Sequence, residues 1–504
     1  MTARRPIVTF TDEQKRVEAD VGDNLLDLIL EQGIAIKADC GGVGTCGKCR
    51  VLVDGEVQHA CLTRVVRDTE VLVVDVDAAD GYAILTEFRE DGTGKVDLSG
   101  ATSPAGSDLA VAIDIGTTTI VGKLLDRSSG IELASFAQLN SELPYGADVI
   151  SRIKVCLEDA STLSSLITEQ IDTAISEMLA SSQVDRSSIS RVVLAGNTTM
   201  VYILLNLPCQ SLGFSPFIPE IPVDLTYPYT RIFHTDTLTC DCTIIPFISG
   251  YVGGDITAGL LSLASEDDFI LMDMGTNGEL VFKRGDHLIC TATAAGPAFE
   301  GGNIECGSGS VRGAISKAWF EDGKITFKTI GGERPVGICG SGILDLGALL
   351  VRERFIDETG YLDDDLGSDR IVLTDKPDSN PEVYFSQKDV RQFQLAKSAT
   401  RTGLEIIIDE MGGALPSKVF LAGGFGQNLD PASAIATGML PESFAGRVSP
   451  IGNSSLNGAI KACLNDALVS TAAGSIEHAV EINLGSHPKF NDLFMDQMAF
   501  PTES

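Results

Sequence analysis

The most constraining stretch of this 504-residue chain runs from Asp39 to Cys61. It reads Cys40-GGVGT-Cys46-GK-Cys49, and a fourth cysteine, Cys61, follows after eleven more residues. Four thiols within twenty-two residues, set among glycines, are a poor way to fill a core. Thiolates are the soft ligands that iron takes, and three close cysteines on a Gly-rich loop with one later cysteine are the ligand set of a 2Fe–2S cluster. A loop that wraps a small anionic cluster needs unusual backbone angles. Gly41, Gly42, Gly44 and Gly47 can reach positive φ and aim N–H groups at the sulfurs. Five residues separate Cys40 from Cys46, one more than the plant-type spacing. A structural zinc site would prefer paired C-x-x-C hooks, and only Cys46 and Cys49 make one. Disulfides would need an oxidising compartment. Cys40, Cys46, Cys49 and Cys61 are therefore read as cluster ligands.

The rest of the chain is long enough for two to four domains. Its hydrophobic fraction of 44% and charged fraction of 21% are those of an ordinary globular protein. The net charge of −33 argues against nucleic acid and anionic membranes as partners, because phosphate binding runs on clustered Lys and Arg. Arg4 and Arg5 are followed by no apolar segment of a secretory signal. No run approaches the roughly 18 apolar residues of a membrane span. The expectation is a reducing, cytoplasmic setting. The remaining cysteines, from Cys156 to Cys463, then read as small buried residues, with Cys240-Asp-Cys242 in a loop.

In chain order, residues 1–79 read as a small α+β module. Ile7 to Phe10 and Arg16 to Ala19 form a hairpin. Asp23 to Gln32 forms a helix stopped by Gly33. Arg50 to Val53, the Asp54-Gly55 turn and Val57 form a second hairpin, and Glu70 to Val74 a last strand. This order fits the β-grasp fold of the 2Fe–2S ferredoxins. Residues 80–107 turn rich in Gly, Asp, Ser, Thr and Pro and read as a flexible linker. A tether would keep a redox module near its target at high effective concentration.

From Leu109 the pattern changes. A buried strand ends in Asp114-Ile-Gly116-Thr117-Thr118-Thr119 and a second strand follows at once, with a tight turn between them. About 160 residues later the unit recurs as Asp273-Met-Gly275-Thr276-Asn277-Gly278-Glu279. The repeat predicts a duplicated fold whose two turns face each other. Ser164 to Leu179 reads as a helix. Arg191 to Leu194 reads as a strand ending in an Ala195–Thr199 loop, and Lys418 to Leu421 as one ending in an Ala422–Gly426 loop. Gly253-Gly-Asp255 precedes an apolar helix over Ile256 to Leu263. Strands that end in glycine loops gather those loops at one sheet edge, where open α/β sheets bind ligands. Two lobes follow, about 108–265 and 266–467, with a tail over 468–504 of which Pro488 to Phe500 is apolar enough to pack down.

The paired turns read as a phosphate clamp. Each offers backbone N–H groups and Thr hydroxyls to phosphate oxygens. Asp114 and Asp273 would hold Mg²⁺ through water. The turn at Gly423, Gly424 and Gly426 would let a flat base and ribose lie against the backbone. Asp255 and Glu279 could position an attacking water or simply bond within the fold, and nothing in the sequence separates the two roles.

These motifs are similar to the two phosphate motifs and the adenosine motif of the superfamily of acetate and sugar kinases, heat-shock chaperones and actin. That likeness implies a two-lobed, ribonuclease H-like duplicated ATPase over residues 108–504. With a 2Fe–2S module in front, the whole chain resembles the reductive activators of corrinoid-dependent enzymes. Tyr145–Arg152, Ala195–Met200, Gly296–Gly301 and Gly452–Leu456 also resemble that family's ATPase domain. One departure is expected: the linker leads straight to the first ATPase strand, where longer members carry a middle domain. The resemblance implies ATP, Mg²⁺ and a 2Fe–2S cluster as cofactors. It also implies a corrinoid protein or corrinoid-dependent methyltransferase as partner, and an upstream electron donor. The implied activity is one-electron reduction of an inactive Co(II) corrinoid to Co(I), driven by ATP. The alternatives are a small-molecule kinase of the same fold, for which no substrate signature is visible, a dehydratase-type activator, whose cluster would lie at a dimer interface, and a non-catalytic redox scaffold. Which corrinoid protein is served, the donor, and the oligomeric state, a homodimer included, are not legible.

Overall fold

The computed structural model describes residues 4–11, 15–34, 36, 49–54, 56–73, 108–146, 148–214, 217, 219, 225–275, 277–363, 367–374 and 382–501. Cys40, Cys46, Thr276 and the expected linker lie outside those residues.

The first module is a five-stranded sheet in the order Lys15–Glu18, Ile7–Phe10, Thr69–Val73, Arg50–Val53, Glu56–His59. Ile7–Phe10 and Thr69–Val73 pair in parallel and the other pairs are antiparallel. Alternation puts Val8, Phe10, Val51 and Val71 into one core with Leu25, Leu26 and Ile29 of the helix Leu25–Glu31. This is the β-grasp arrangement. The helix cap is Asn24 and not Asp23: Asn24 Oδ1 accepts from Leu26 N–H at 2.9 Å, while Asp23 accepts from Asp20 N–H at 2.7 Å. The helix closes in a Schellman motif, with Gly33 N–H on the Leu30 carbonyl and Ile34 N–H on that of Ile29.

Two further sheets share one topology. In the first, Leu109–Ile115, Thr119–Asp126 and Glu132–Leu139 form an antiparallel meander, and Ile189–Gly196 then Asp241–Ile244 continue in parallel from its first strand. In the second, Asp268–Met274, Gly278–Arg284 and His287–Thr293 repeat the meander, and Lys418–Ala422 then Val448–Gly452 repeat the parallel extension. The duplication read from the two turns is therefore a duplication of whole sheets. Each leading strand is buried on both faces, as its unbroken apolar run requires. Leu109, Val111 and Ile113 enter one core, and Ala110 and Ala112 the other.

Helix Val149–Ser182 covers the outer face of the first lobe and extends well beyond the expected Ser164–Leu179. It breaks at Asp159 (φ −151°, ψ 98°), whose carboxylate accepts from Ser161 N–H at 3.0 Å and Thr162 Oγ1 at 2.7 Å. Asp159 thus caps a second helical segment inside the first. Helix Gln387–Glu410 covers the second lobe. The tail packs onto it: Lys397 Nζ donates to the carbonyls of Gln497 and Ala499, both at 2.7 Å, and Phe500 stacks on Phe393.

Between the lobes run the helices Gly254–Ser262 and Ser454–Leu464. The first sets Ala258 and Leu261 against the first lobe and Ile256 against the second. The second follows the strands of the second lobe in the chain, yet places Leu456, Ala459 and Ala462 on the first. The two helices cross so closely that a Cβ on Gly458 would lie 1.8 Å from the Ala258 carbonyl oxygen.

Three local expectations change. Asp241–Ile244 is a strand with Cys242 buried, so the Cys240–Cys242 segment is not a loop. The strand before Asn197 runs through Gly196, and a helix, Thr198–Leu204, starts at once. Residues Gly423–Gly426 close as one helical turn, not an open loop. Among the described residues no helix is long and apolar enough to cross a membrane.

Candidate functional site

Cys49 enters the strand Arg50–Val53, and its carbonyl accepts from Ala60 N–H at 2.8 Å. Cys61 sits in the short turn Ala60–Leu62, held by Asn24 Nδ2 on its carbonyl at 2.9 Å. These bonds bring two cysteines twelve positions apart into the same place. Both thiols are buried and their Sγ atoms are 3.3 Å apart. A disulfide would hold them at about 2.05 Å. Two thiolates on one tetrahedral metal, with bonds near 2.3 Å, stand roughly 3.8 Å apart. The pair therefore fits two ligands of one metal atom. Cys40 and Cys46, the other two expected ligands, lie outside the described residues.

In the other two sheets the expected site residues fall at equivalent places. Asp114 pairs in register with Ala195, and Asp273 with Ala422, so each carboxylate lies beside a small residue at the end of the neighbouring parallel strand. Gly423 has φ 82°, and a Cβ there would lie 2.6 Å from Asp273 Oδ1, so only glycine fits. Gly424, next to it, faces open space and leaves room for a flat group. Phe425 stacks on Phe299 at 4.6 Å and 10°, which fixes the floor of that turn. Asp255 lies in the first turn of the interlobe helix Gly254–Ser262, and Glu279 pairs in register with Asp273.

The four carboxylates feel one another. Burial pushes Asp114 up, and its bonds to Ser455 and Asn453 oppose that. Asp255 is pushed up to about 7 by burial and then by the charge of Asp114. Asp273 is pushed up to about 8 by burial and then by Asp255 and Asp114. Glu279 is raised well above its ordinary value by burial, Asp255, Asp273 and Glu300. Four acids that resist ionising together make a place where a cation would replace protons. Among the described residues no three such side chains converge tightly enough to coordinate one ion directly. An ion held here would keep several waters, which is the habit of Mg²⁺.

The sequence marks the stretches around Arg152, Asn197, Asn453 and Ser455 as family-like but gives these residues no role, and Glu142 is not singled out at all. Asn453 Nδ2 and Ser455 Oγ, at the start of the second interlobe helix, donate to Asp114 at 2.7 and 2.6 Å. Asn197 caps Thr198–Leu204 through Met200 N–H and also donates to Thr117 Oγ1 at 3.0 Å. Arg152 and Glu142 form a fully buried ion pair at 2.9 Å beneath the Gly116–Thr118 turn. The available signal was polar residues placed just after apolar strands, as in Asn197 and Asn453. Only the tertiary structure shows what each one faces.

A β-grasp module that gathers buried thiols, followed by a duplicated two-lobed domain with paired carboxylate turns, defines the class: an iron–sulfur protein joined to a domain of the kinase, chaperone and actin superfamily. Three family models match in order. A 2Fe-2S iron-sulfur cluster binding domain covers residues 8–82, the RACo middle region covers 109–266, and the C-terminal domain of RACo, the ASKHA domain, covers 267–504. A corrinoid activation enzyme of Eubacterium limosum is 33% identical over 416 residues, spanning 77% of this chain and 70% of that protein. A Co(II) methylated amine-specific corrinoid protein reductase of Methanosarcina barkeri is 23% identical over 434 residues, 78% of this chain and 77% of its own length. The solved structure of a reductive activator for a corrinoid, iron–sulfur protein superposes with a TM-score of 0.69 at 27% identity, covering 98% of both chains. The chain belongs to the family of reductive activators of corrinoid proteins. One expectation is corrected by these matches. A segment described as the family's middle region is present and coincides with the first lobe, so the chain does not lack it.

Proposed function

We propose that this protein uses ATP to drive one electron onto the Co(II) corrinoid of a partner protein, returning the cobalt to Co(I). A 2Fe–2S cluster held by Cys40, Cys46, Cys49 and Cys61 would supply a one-electron carrier. Cys49 and Cys61 are both buried and would keep their side of it from water. In the two-lobed domain, the Gly116–Thr118 and Gly275–Gly278 turns would receive the phosphates. Asp114 and Asp273 would hold hydrated Mg²⁺, and the Gly423–Gly426 turn would receive the adenosine. Asp255, with its raised proton affinity, would orient a water at the terminal phosphate.

Reduction of Co(II) to Co(I) runs uphill, and each deficit of about 59 mV costs roughly tenfold in a one-electron equilibrium. The interlobe helix Ser454–Leu464 gives the chain a way to apply work. It holds Asp114 through Asn453 and Ser455 while packing on the other interlobe helix, so rearrangement at the site moves lobe against lobe. A corrinoid protein gripped by the lobes would feel that motion as a change in cobalt ligation. The observation that carries the reading is the presence, in one chain, of converged buried thiols and a four-carboxylate site bridged by interlobe helices.

The test is anaerobic. The iron-loaded protein is mixed with a Co(II) corrinoid protein, a reductant and Mg-ATP, and the cobalt spectrum is followed. Co(I), or a methylated corrinoid when a methyl donor is present, should form only with ATP. Formation at the same rate without nucleotide removes the ATP-driven reading.

A further inference from the structure

The turn between Leu109–Ile115 and Thr119–Asp126 is gripped by its carbonyls. Asn140 Nδ2 donates to the Gly116 carbonyl at 2.9 Å, and Asn140 N–H to that of Thr118 at 2.9 Å. Between them, the Arg152 guanidinium donates to the Thr117 carbonyl. A trans peptide unit sets its N–H opposite its C=O. Carbonyls of Gly116 and Thr117 drawn toward Asn140 and Arg152 therefore turn the N–H groups of Thr117 and Thr118 the other way. Neither N–H meets an acceptor among the described residues.

Arg152 is a costly means of holding one carbonyl. It is fully buried, as is Glu142, its partner at 2.9 Å. Its Nε donates to the Gly146 carbonyl at 2.9 Å. Burying an ion pair costs several kcal/mol per ion, and an apolar side chain of similar volume often gives a more stable fold. Glu142 shows the strain of that burial: its Oε1 has no hydrogen-bond partner among the described residues, and its carboxyl is pushed up to about 7 despite the arginine. A pair this expensive under a half-buried turn is explained by what it does to the turn. Among the described residues of the second lobe's turn no arginine donates to a carbonyl, and the Thr293 hydroxyl donates to the Gly278 carbonyl at 3.1 Å.

We propose that Arg152, with Asn140, is a positioning residue for phosphate: it pins the carbonyls of the Gly116–Thr118 turn so that the amides of Thr117 and Thr118 are presented to the terminal phosphates of a nucleotide. The inference rests on the nucleotide reading above. It names the side chains that shape the first lobe's phosphate turn.

The test compares Mg-ADP with adenosine by calorimetric titration of the full chain. Lysine cannot reproduce the guanidinium fork that reaches Glu142, Gly146 and Thr117 together. Arg152→Lys should weaken ADP binding by about tenfold or more, the loss expected when charge-assisted bonds to the turn go. Adenosine, which lacks phosphates, should bind as to the unaltered protein. If the folded variant binds both ligands normally, or loses both by the same factor, the proposal is wrong. If Arg152→Lys does not fold, Asn140→Ala decides on the same two outcomes, because it frees the Gly116 carbonyl and keeps both charged partners, at the loss of the bond from Glu142 N–H to Asn140 Oδ1. Failure of the unaltered protein to bind either ligand would remove the nucleotide reading itself, and this proposal with it.

Discussion

The crossing of the two interlobe helices can be tested with one methyl group. In the helix Ser454–Leu464, a Cβ on Gly458 would meet the Ala258 carbonyl oxygen at 1.8 Å and its carbonyl carbon at 2.4 Å. Comfortable contact begins near 3.5 Å, so Gly458→Ala must part the helices by roughly 1.7 Å at the crossing. Both partners in the clash are main chain, and no side chain can swing away. Overpacking of this kind costs about 1–3 kcal/mol, which for a two-lobed unit of roughly 400 residues should lower the melting temperature by about 1–4 °C. The functional effect should exceed the stability effect, because Asn453 and Ser455 at the head of the same helix hold Asp114. ATP turnover measured well below the melting point should fall, with the KM for Mg-ATP raised. Gly474→Ala is the control. It lies in the helix Ala467–Ile476, with nothing within 4 Å of the added carbon, and should be neutral or slightly stabilising. If Gly458→Ala melts with the unaltered protein and turns over ATP at the same KM, the helices do not couple the lobes as described.

Two further outcomes are expected. Asp255 and Asp273 keep their protons to about 7 and about 8 in the fold but would release them near 3.8 when unfolded. The folded state thus binds more protons across that window, and the metal-free protein loses stability as pH rises through it, by at most about 1.4 kcal/mol per pH unit for each proton. Calorimetry should show a lower melting temperature at pH 8 than at pH 6, with Mg²⁺ restoring much of the difference; a metal-free melting temperature that is flat over this range would contradict the buried cluster. Cys61→Ala should abolish iron binding and the visible absorption of the anaerobically loaded protein while leaving ADP affinity unchanged, and joint loss of both would contradict a redox module that folds independently of the nucleotide site.

Local chemistry made much of this protein readable in advance. The cysteine spacing announces a soft-metal site because few other structures need four thiols among glycines. The repeated Asp-x-Gly-Thr turns announce duplication because a strand, a carboxylate and a glycine recur in the same order. Buried strands such as Leu109–Ile115 show as unbroken apolar runs because both faces are covered. Short-range rules were weaker where capping decided. Asp159 looks like an interruption, and is in fact a cap inside a longer helix.

What the tertiary structure alone decided are the relations between residues far apart in the chain. Asp114 meets Asn453 and Ser455 across more than three hundred positions, and Gly458 meets Ala258 across two hundred. Arg152 closes a family-like stretch of sequence, but its work shows only when the fold buries it beneath Thr117. Spacing and composition report what a residue can do. Which partner it is given depends on chain closure and packing, and those are properties of the whole fold.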